Sequence, residues 1–254
     1  MPNDKFIKIS IISVVFNAKS TVNETILSIL RQTYRHLEYI IIDGGSDDGT
    51  VDIIKQYRQK VSFWCTKKDN GIYDAMNNGL NHATGDFVIF INSGDILYSP
   101  NTISDVVDKI TDINSVYYGN AMYVNKASKN TTWRGGPFSK YRLSKTNICH
   151  QTIFYPKIIY DNHRYNLKYK LFADWVYNMQ IHSLTRFKYI DLNISYYDDM
   201  GVSAVNNDYI FKKEQFALIV RYLGLDCLIY LAYNKFKIVI SRVSRAVFDY
   251  YIAG

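Results

Sequence analysis

Apolar and polar positions change period several times within the first hundred residues. Apolar runs of strand length at Lys8 to Phe16, Glu38 to Asp43, Val61 to Cys65 and Phe87 to Asn92 are separated by stretches with helical spacing, Val22 to Arg31, Thr50 to Gln59 and Ile72 to His82. Strands alternating with helices of this length need right-handed crossovers. The expected fold is α/β, a Rossmann-like, mostly parallel sheet flanked by helices. Such sheets take ligands at the carboxyl ends of their strands. After Pro100 the alternation loosens: Ser115 to Val124 reads as a strand, Gly135-Gly136-Pro137 as a turn, Ile148 to Tyr155 as a strand, and a helix can begin near Asp174. No internal repeat or low-complexity linker divides the chain. Residues 1–208 are therefore expected to form one domain, 1–100 carrying the ligand rim and 101–208 extending it, followed by a helical tail at 209–254.

Three of the strands end in polar residues that would gather on one rim. Asn17 follows the first, Asp43-Gly44-Gly45-Ser46-Asp47-Asp48-Gly49-Thr50 the second, and Asn92-Ser93-Gly94-Asp95 the fourth. The glycines of the second segment permit positive φ and its Asp or Ser side chains can cap the next helix, so alone it reads equally as a tight turn. It is neither a dinucleotide fingerprint nor a P-loop, since the first strand is followed by no Gly-x-Gly-x-x-Gly and the chain has no Gly-Lys-Ser/Thr. Asp95 ends a very hydrophobic strand, which sets it at the rim rather than in the core. A hard divalent cation bridging two phosphates needs few protein carboxylates, because phosphate oxygens and water complete its shell. The segment Asp69 to Gly79 opens as a capped helix with more acids and amides than capping requires, Asp74 sharing a face with Asn77 or Asn78. His150 fits a structural, solvated or ligand-contacting role. Asp174 reads as a helix N-cap or as a general base beside an aromatic wall.

Composition narrows the class. With 254 residues, 48% hydrophobic and 21% charged, the chain is neither disordered nor collagen-like. Its three cysteines, Cys65, Cys149 and Cys227, are far apart and lack Cys-x-x-Cys spacing, which argues against a disulfide framework or structural zinc and for a reducing compartment. The net charge of +7 is uneven: residues 1–100 carry ten Lys/Arg against eleven Asp/Glu, 101–208 thirteen against nine, and 209–254 seven against three. No nucleic-acid-reading motif organises it, so no nucleic-acid partner is expected. The N-terminal apolar segment, broken by Ser10 and Ser13, is too short and polar for a signal peptide or a membrane span. In the tail, Phe216 to Tyr233 is rich in Leu, Ile, Val and Tyr, and Lys235, Lys237, Arg242 and Arg245 are interleaved with apolar residues up to Tyr251. Arg221 and Asp226 interrupt a span. The expectation is a basic amphipathic helix on an anionic membrane surface; the alternative is a helix pair packed on the domain with a solvated basic face.

Six motifs, taken in order, resemble the family 2 inverting glycosyltransferases of the GT-A fold, especially bacterial enzymes of O-antigen and exopolysaccharide synthesis. They are Ile11 to Asn17, Ser28 to Tyr34, Ile41 to Thr50, Asp69 to Asn77, Ala83 to Phe87 and Asn92 to Asp95, within a resemblance that covers residues 7–205. The resemblance implies a nucleotide-sugar half at 1–100 and an acceptor half at 101–208. It implies that Asp43 contacts the nucleotide base with help from the backbone around Phe16 and Asn17, that Asp69, Asn92 and Ser93 line the donor site, and that Asp95 holds Mn2+ or Mg2+ on the diphosphate. His150, with Gln151, would lie near the donor diphosphate or acceptor, and Asp174 would be the general base. Gly201-Val202-Ser203 and Glu214 match the family without an implied role. Two positions depart, Lys67 where many relatives carry an acid and Gly94 where they carry a second aspartate, which would weaken the hold on the metal. The implied reaction moves a hexose, galactose or glucose, from a UDP-sugar to an N-acetylglucosamine- or N-acetylgalactosamine-diphospho-polyprenol in O-antigen, lipopolysaccharide or capsule assembly. The enzyme would be peripheral on the cytoplasmic face of a bacterial plasma membrane. Two rivals stand beside it: a nucleotidyltransferase, which would need a Gly-rich basic phosphate loop, and a degenerate glycosyltransferase serving as a membrane-associated scaffold.

Overall fold

The computed structural model describes residues 6–124, 131–198 and 208–237. Gly201 to Ser203 and the tail beyond residue 237, with Arg242 and Arg245, lie outside the described residues.

β1 (Ile9–Val15) is buried along its whole length, as a central parallel strand must be, and its two serines are satisfied internally. After α1 (Val22–Leu30), β2 (Leu37–Asp43) pairs with β1 in parallel from Ile9↔Leu37 to Val15↔Asp43. That register makes the two strands end together. α2 (Thr50–Gln56), β3 (Phe63–Thr66), α3 (Ile72–His82) and β4 (Phe87–Phe90) complete a parallel block ordered β3-β2-β1-β4. The helix α3 lies close on this block because residue 79 is glycine: a Cβ there would meet Ile12 Cγ2 at 2.5 Å.

The second half extends the sheet with mixed pairing. It contains β5 (Ile96–Leu97), α4 (Thr102–Val107), β6 (Val116–Val124), β7 (Thr131–Arg134), α5 (Lys140–Leu143), a 3-10 turn (His150–Thr152), β8 (Ile153–Pro156), α6 (Lys157–Tyr160), α7 (Ala173–His182) and β9 (Phe187–Asp198). The full order is β3-β2-β1-β4-β8-β6-β9-β5, with β7 on β6. β8 runs antiparallel to β4 and β6, while β6 and β9 are parallel. Two apolar layers sandwich the sheet. One gathers Ile12, Ile42, Met76, Phe90, Tyr155 and Tyr177; the other gathers Ile11, Ile26, Ile41, Ile54, Phe87 and Ile103.

α8 (Tyr209–Leu223) is capped by Asp208, whose side chain accepts from Phe211 N at 3.0 Å and from Leu171 N at 3.1 Å. Gly224, at φ 101°, separates it from α9, helical over 225–237. Phe211, Leu218, Ile219, Leu223 and Cys227 join the same core as α3 and α7. Phe216, Val220, Leu225, Ile229, Tyr233 and Phe236 face solvent. No described helix is long and apolar enough to cross a membrane.

Local departures from the expected elements have local causes. The run from Ile148 starts as a turn, because the Cys149 carbonyl accepts from both the backbone N–H and the hydroxyl of Thr152. α3 is capped at Gly71 rather than Asp69, whose Oδ1 accepts from Gly71 N at 2.9 Å. Asp174 occupies the first turn of α7, two positions past the cap residue Phe172.

At the opposite end of β1 and β2, the buried Glu38 carboxylate accepts from Ser10 Oγ at 2.6 Å, Thr84 N at 2.7 Å, Thr84 Oγ1 at 2.8 Å and Lys8 Nζ at 2.9 Å. Burial opposes its charge, but these hydrogen bonds outweigh burial and hold it below the usual glutamate value. A depressed folded pKa contributes stability above the unfolded value of about 4.3, and that stability is lost as pH falls through the folded value. Glu38→Gln should therefore lower the melting temperature at neutral pH, with the difference from the parent closing as pH drops below about 4; a difference independent of pH would contradict this.

Candidate active site

The rim begins where β1 ends. Phe16 is exposed, and Asn17 takes a left-handed conformation, φ 45°, that asparagine tolerates better than most residues. Asn17 N donates to Ser46 Oγ at 2.8 Å, and its Oδ1 accepts from Asp47 N at 3.1 Å. Asp43 is fully buried at the end of β2. Its Oδ2 accepts from Gly45 N at 3.0 Å, Ser46 N at 2.9 Å and Thr66 Oγ1 at 2.6 Å, and its Oδ1 from Ser46 Oγ at 2.5 Å. The carboxylate thus organises the β2–α2 turn.

Asp69 sits against this turn. A Cβ on Gly44 would lie 2.6 Å from Asp69 Oδ2, so the bare glycine is what admits the carboxylate. Burial raises Asp69 above the ordinary aspartate value, with nearby Asp74 and Asp43 adding to it and the Gly71 N–H opposing. Its Oδ2 accepts no hydrogen bond from the described residues, in contrast to both oxygens of Asp43. A cavity of about 380 Å3 opens beside it, lined by Lys67, Lys68, Asp69, Asp74, Asn77 and Asn78.

The β4 end is built by residues from both halves. Thr25 Oγ1, on α1, donates to the Asp95 carbonyl at 2.8 Å and accepts from Gly94 N at 3.0 Å; Ser93 N donates to the Val14 carbonyl at 3.3 Å. Gln151 Nε2 donates to Asp95 Oδ2 at 2.9 Å. The orientation of that amide is fixed by the Cys149 thiol, which donates to Gln151 Oε1 at 3.0 Å; burial pushes this thiol up to about 12. Asn92 is buried, with Nδ2 3.0 Å from His150 Nε2 and Oδ1 without a partner.

His150 leads to Asp174. Its Nδ1 lies 3.5 Å from Asp174 Oδ2. Asp174 Oδ1 accepts from the Tyr73 hydroxyl and Oδ2 from Asn147 Nδ2, both at 2.8 Å. Burial, then the Asp174 charge, pushes the Tyr73 hydroxyl well above its ordinary value, so it stays protonated and donates. Asn147 is held in turn by Asn178 Nδ2 at 2.8 Å.

The structure therefore gathers the expected residues into two neighbouring groups. Phe16, Asn17, Asp43 and Asp69 lie at the ends of β1 to β3, and Asn92, Ser93, Asp95, His150 and Asp174 form a chain from the β4 turn to α7. Thr25 and Asn147 belong to this framework but lie in no motif, and Tyr73 lies inside the Asp69 to Asn77 motif without an expected role. Tyr73 could have been found as the one aromatic hydroxyl inside the Asp69 to Gly79 segment.

The chain matches Glycosyl transferase family 2 over residues 10–184, a span that contains every residue of both groups. The chain belongs to glycosyltransferase family 2. This glycosyltransferase is 34% identical over 201 residues to a PGL/p-HBAD biosynthesis glycosyltransferase of Mycobacterium bovis, covering 76% of this chain and 77% of the relative. It is 40% identical over 92 residues to an uncharacterised glycosyltransferase of Haemophilus influenzae, covering 35% and 37%. Among solved structures it resembles S. aureus TarS 1–349 in complex with UDP-GlcNAc, with TM-score 0.67, 20% identity and coverage of 85% of this chain and 66% of that one. Against another TarS crystal structure it spans only 38% of the solved chain. It also resembles the mannosyltransferase PcManGT from Pyrobaculum calidifontis, solved with GDP-Man and Mn2+, with TM-score 0.62, 15% identity and coverage of 89% and 70%. At these identities the likeness is one of fold: an α/β, GT-A-type sheet flanked by helices. Family membership makes the protein a nucleotide-sugar-dependent glycosyltransferase and sets aside the nucleotidyltransferase alternative.

If Asp43 organises the turn, Asp43→Ala removes the one acceptor that Gly45 N, Ser46 N, Ser46 Oγ and Thr66 Oγ1 share. The ligand-free protein should then lose about 1–3 kcal/mol or more in urea unfolding; a change below about 0.5 kcal/mol, the range of ordinary surface substitutions, would assign Asp43 to ligand contact alone.

Proposed function

We propose that this enzyme transfers a hexose, galactose or glucose, with inversion, from a UDP-sugar to an N-acetylglucosamine- or N-acetylgalactosamine-diphospho-polyprenol, in assembly of O-antigen or capsule repeat units. The observation that carries the reading is the chain of polar contacts joining the β4 turn to Asp174 through Asn92 and His150. An in-line displacement needs a leaving-group site and a proton-accepting site held in fixed relation, and this chain links two such positions. Asp69 Oδ2, free above Gly44, suits the N–H of a nucleobase at the β2 end, with Phe16 and Asn17 completing that edge. Asp43 sets the turn on which they depend.

Among the described residues, no group of three or more His, Cys, Asp or Glu forms a self-sufficient metal site. Asp95, one oxygen steadied by Gln151, fits a cation that draws its other ligands from phosphate and water. It would hold Mn2+ or Mg2+, and a bound ion supplies charge neutralisation for a departing diphosphate. The residues do the rest: the β4 turn positions the donor, and the Asp174 network accepts the acceptor's proton. The intact network also speaks against the degenerate-scaffold alternative.

The PGL/p-HBAD relatives act in biosynthesis by name, and TarS was solved with a UDP-sugar, which supports the donor class. The exposed apolar residues of α8 and α9, flanked by Arg221, Lys235 and Lys237, support peripheral attachment to an anionic membrane and so a lipid-linked acceptor on the cytoplasmic face.

Two experiments test the reading. Incubation of UDP-, GDP- and dTDP-sugars with a synthetic N-acetylglucosamine-diphospho-lipid should add one hexose by mass spectrometry, from a UDP donor, and the product should vanish with chelator and in Asp95→Ala; no transfer from any donor overturns the proposal. Gly44→Ala should move the Asp69 carboxylate while leaving the backbone in place, weakening UDP binding about tenfold at an unchanged unfolding midpoint; unaltered affinity would remove Asp69 from base recognition.

A further inference from the structure

We propose that Tyr73 is a positioning residue for the proton-accepting carboxylate: its one hydroxyl proton serves Asp174 while the carboxylate is charged and the Leu171 carbonyl once it is neutral. This rests on the transferase reading above and brings a residue of the donor half into the proton transfer.

The hydroxyl faces two acceptors with one proton. Tyr73 Oη lies 2.8 Å from the Leu171 carbonyl oxygen and 2.8 Å from Asp174 Oδ1. Neither a carbonyl nor an ionised carboxylate has a hydrogen to give back, so the single O–H can be aimed squarely at only one of them. A charged acceptor holds a donor about twice as strongly as a neutral one, and the ionised carboxylate therefore takes it. Once the carboxylate has gained a proton, that advantage is gone. The carbonyl then stands at the same distance, so the buried hydroxyl keeps a partner in both states.

All three groups are held in place. Tyr73, the second residue of α3, is 7% exposed, with its ring 5.4 Å from that of Tyr165, and Asn77 ties the same helix to the Tyr165 backbone. The Leu171 peptide is fixed from its other side, its N–H donating to Asp208 Oδ2 at 3.1 Å. Asp174 sits in the first turn of α7, and Asn147 Nδ2 donates to its second oxygen at 2.8 Å. An ionised carboxylate has about four acceptor sites; these two donors use two and leave the rest for an acceptor hydroxyl. Burial, then the Asp174 charge, pushes the Tyr73 hydroxyl well above its ordinary value, with the Asp174 backbone N–H opposing. Its proton therefore changes acceptor without leaving its oxygen.

In the transfer, the acceptor O–H bond breaks as its oxygen bonds to the anomeric carbon. The bond from that carbon to the diphosphate oxygen breaks, and its electron pair leaves on the diphosphate. The proton moves to the Asp174 carboxylate, and Tyr73 turns its own proton to Leu171 until water clears the acid. The bond to Oδ1 thus favours the charged carboxylate before transfer, and the carbonyl offsets its loss afterwards. The other titratable groups around the pair are His150 and Cys149 at the 3-10 turn, Tyr155 on β8, Tyr165 ahead of α7 and Asp208 at the start of α8. Among the described residues, Tyr73 is the one titratable side chain that hydrogen-bonds to the carboxylate.

The test follows UDP release by the full chain across pH, from UDP-glucose and UDP-galactose with the synthetic N-acetylglucosamine-diphospho-lipid. A general base gives kcat/KM an acid limb, on which activity falls as the base takes up protons. Tyr73→Phe withdraws the bond that favours the charged form, so the limb should move up by about one pH unit or more. In the same variant kcat should fall about tenfold or more while affinity for UDP holds. Replacement of Tyr73 by 3,5-difluorotyrosine keeps the shape of the side chain but makes a stronger donor, and should move the limb down. Tyr177→Phe deletes a buried hydroxyl that has no hydrogen-bond partner among the described residues, and should leave the limb in place. Loss of packing alone does not displace a limb in opposite directions from one position. A limb within about 0.3 pH units of the parent in Tyr73→Phe, or in the difluorotyrosine protein where Tyr73→Phe does not fold, overturns the proposal and leaves Tyr73 a structural role. Absence of UDP release by the parent from any donor is a different result: it overturns the transferase reading itself and this proposal with it.

Discussion

A buried carboxylate must be met by donors, and the way Asp43 is met shapes the whole rim. The strand that delivers it is in register with β1, so the two chains leave the sheet side by side. Ser46 then does two things with one hydroxyl: it donates to Asp43 Oδ1 and accepts from Asn17 N. The charge buried under β2 is in this way coupled to the backbone emerging from β1. Leaving that buried carboxylate without its donors would be costly, so the turn has little freedom to adopt another shape.

The same economy of contacts ties the halves of the chain together. Tyr73 on α3 reaches Asp174 on α7, and Asn77 on α3 exchanges two hydrogen bonds with the backbone of Tyr165, at 2.9 and 2.8 Å. These residues stand at the surface of a single apolar layer that also contains Phe90, Tyr155, Tyr177 and Phe211. The residues expected to handle the donor and those expected to handle the acceptor are therefore carried on one core, which limits relative motion between them.

Much of the first half was legible because its periodicity is strong and its strand ends are punctuated by glycine and aspartate. Asp43, Asp95 and Asn17 could be assigned to a rim on that basis alone. What was not legible was how each is used. The saturation of Asp43, the freedom of Asp69 Oδ2 and the two donors on Asp174 depend on partners brought in from distant segments, such as Tyr73, 101 positions from Asp174. Thr25 and Asn147 have common residue types in unremarkable surroundings, and no spacing rule marks them. β9 was equally obscure: its buried Ile190 and Ile194 alternate with Asp191 and Asn193, and it is the pairing with β6 and β5 that makes it a strand.

Gly44 is a position where a missing side chain is part of the site. The space that Asp69 Oδ2 fills is the space a Cβ would fill, so these two residues share one volume. Their substitutions cannot be additive, because each changes what the other can do. Over evolutionary time the pair is free to drift only jointly: a relative with a larger residue at the glycine position must reroute the carboxylate, and one that loses the carboxylate no longer needs the glycine. Covariation between positions 44 and 69 would thus record a steric bargain struck at the edge of the sheet.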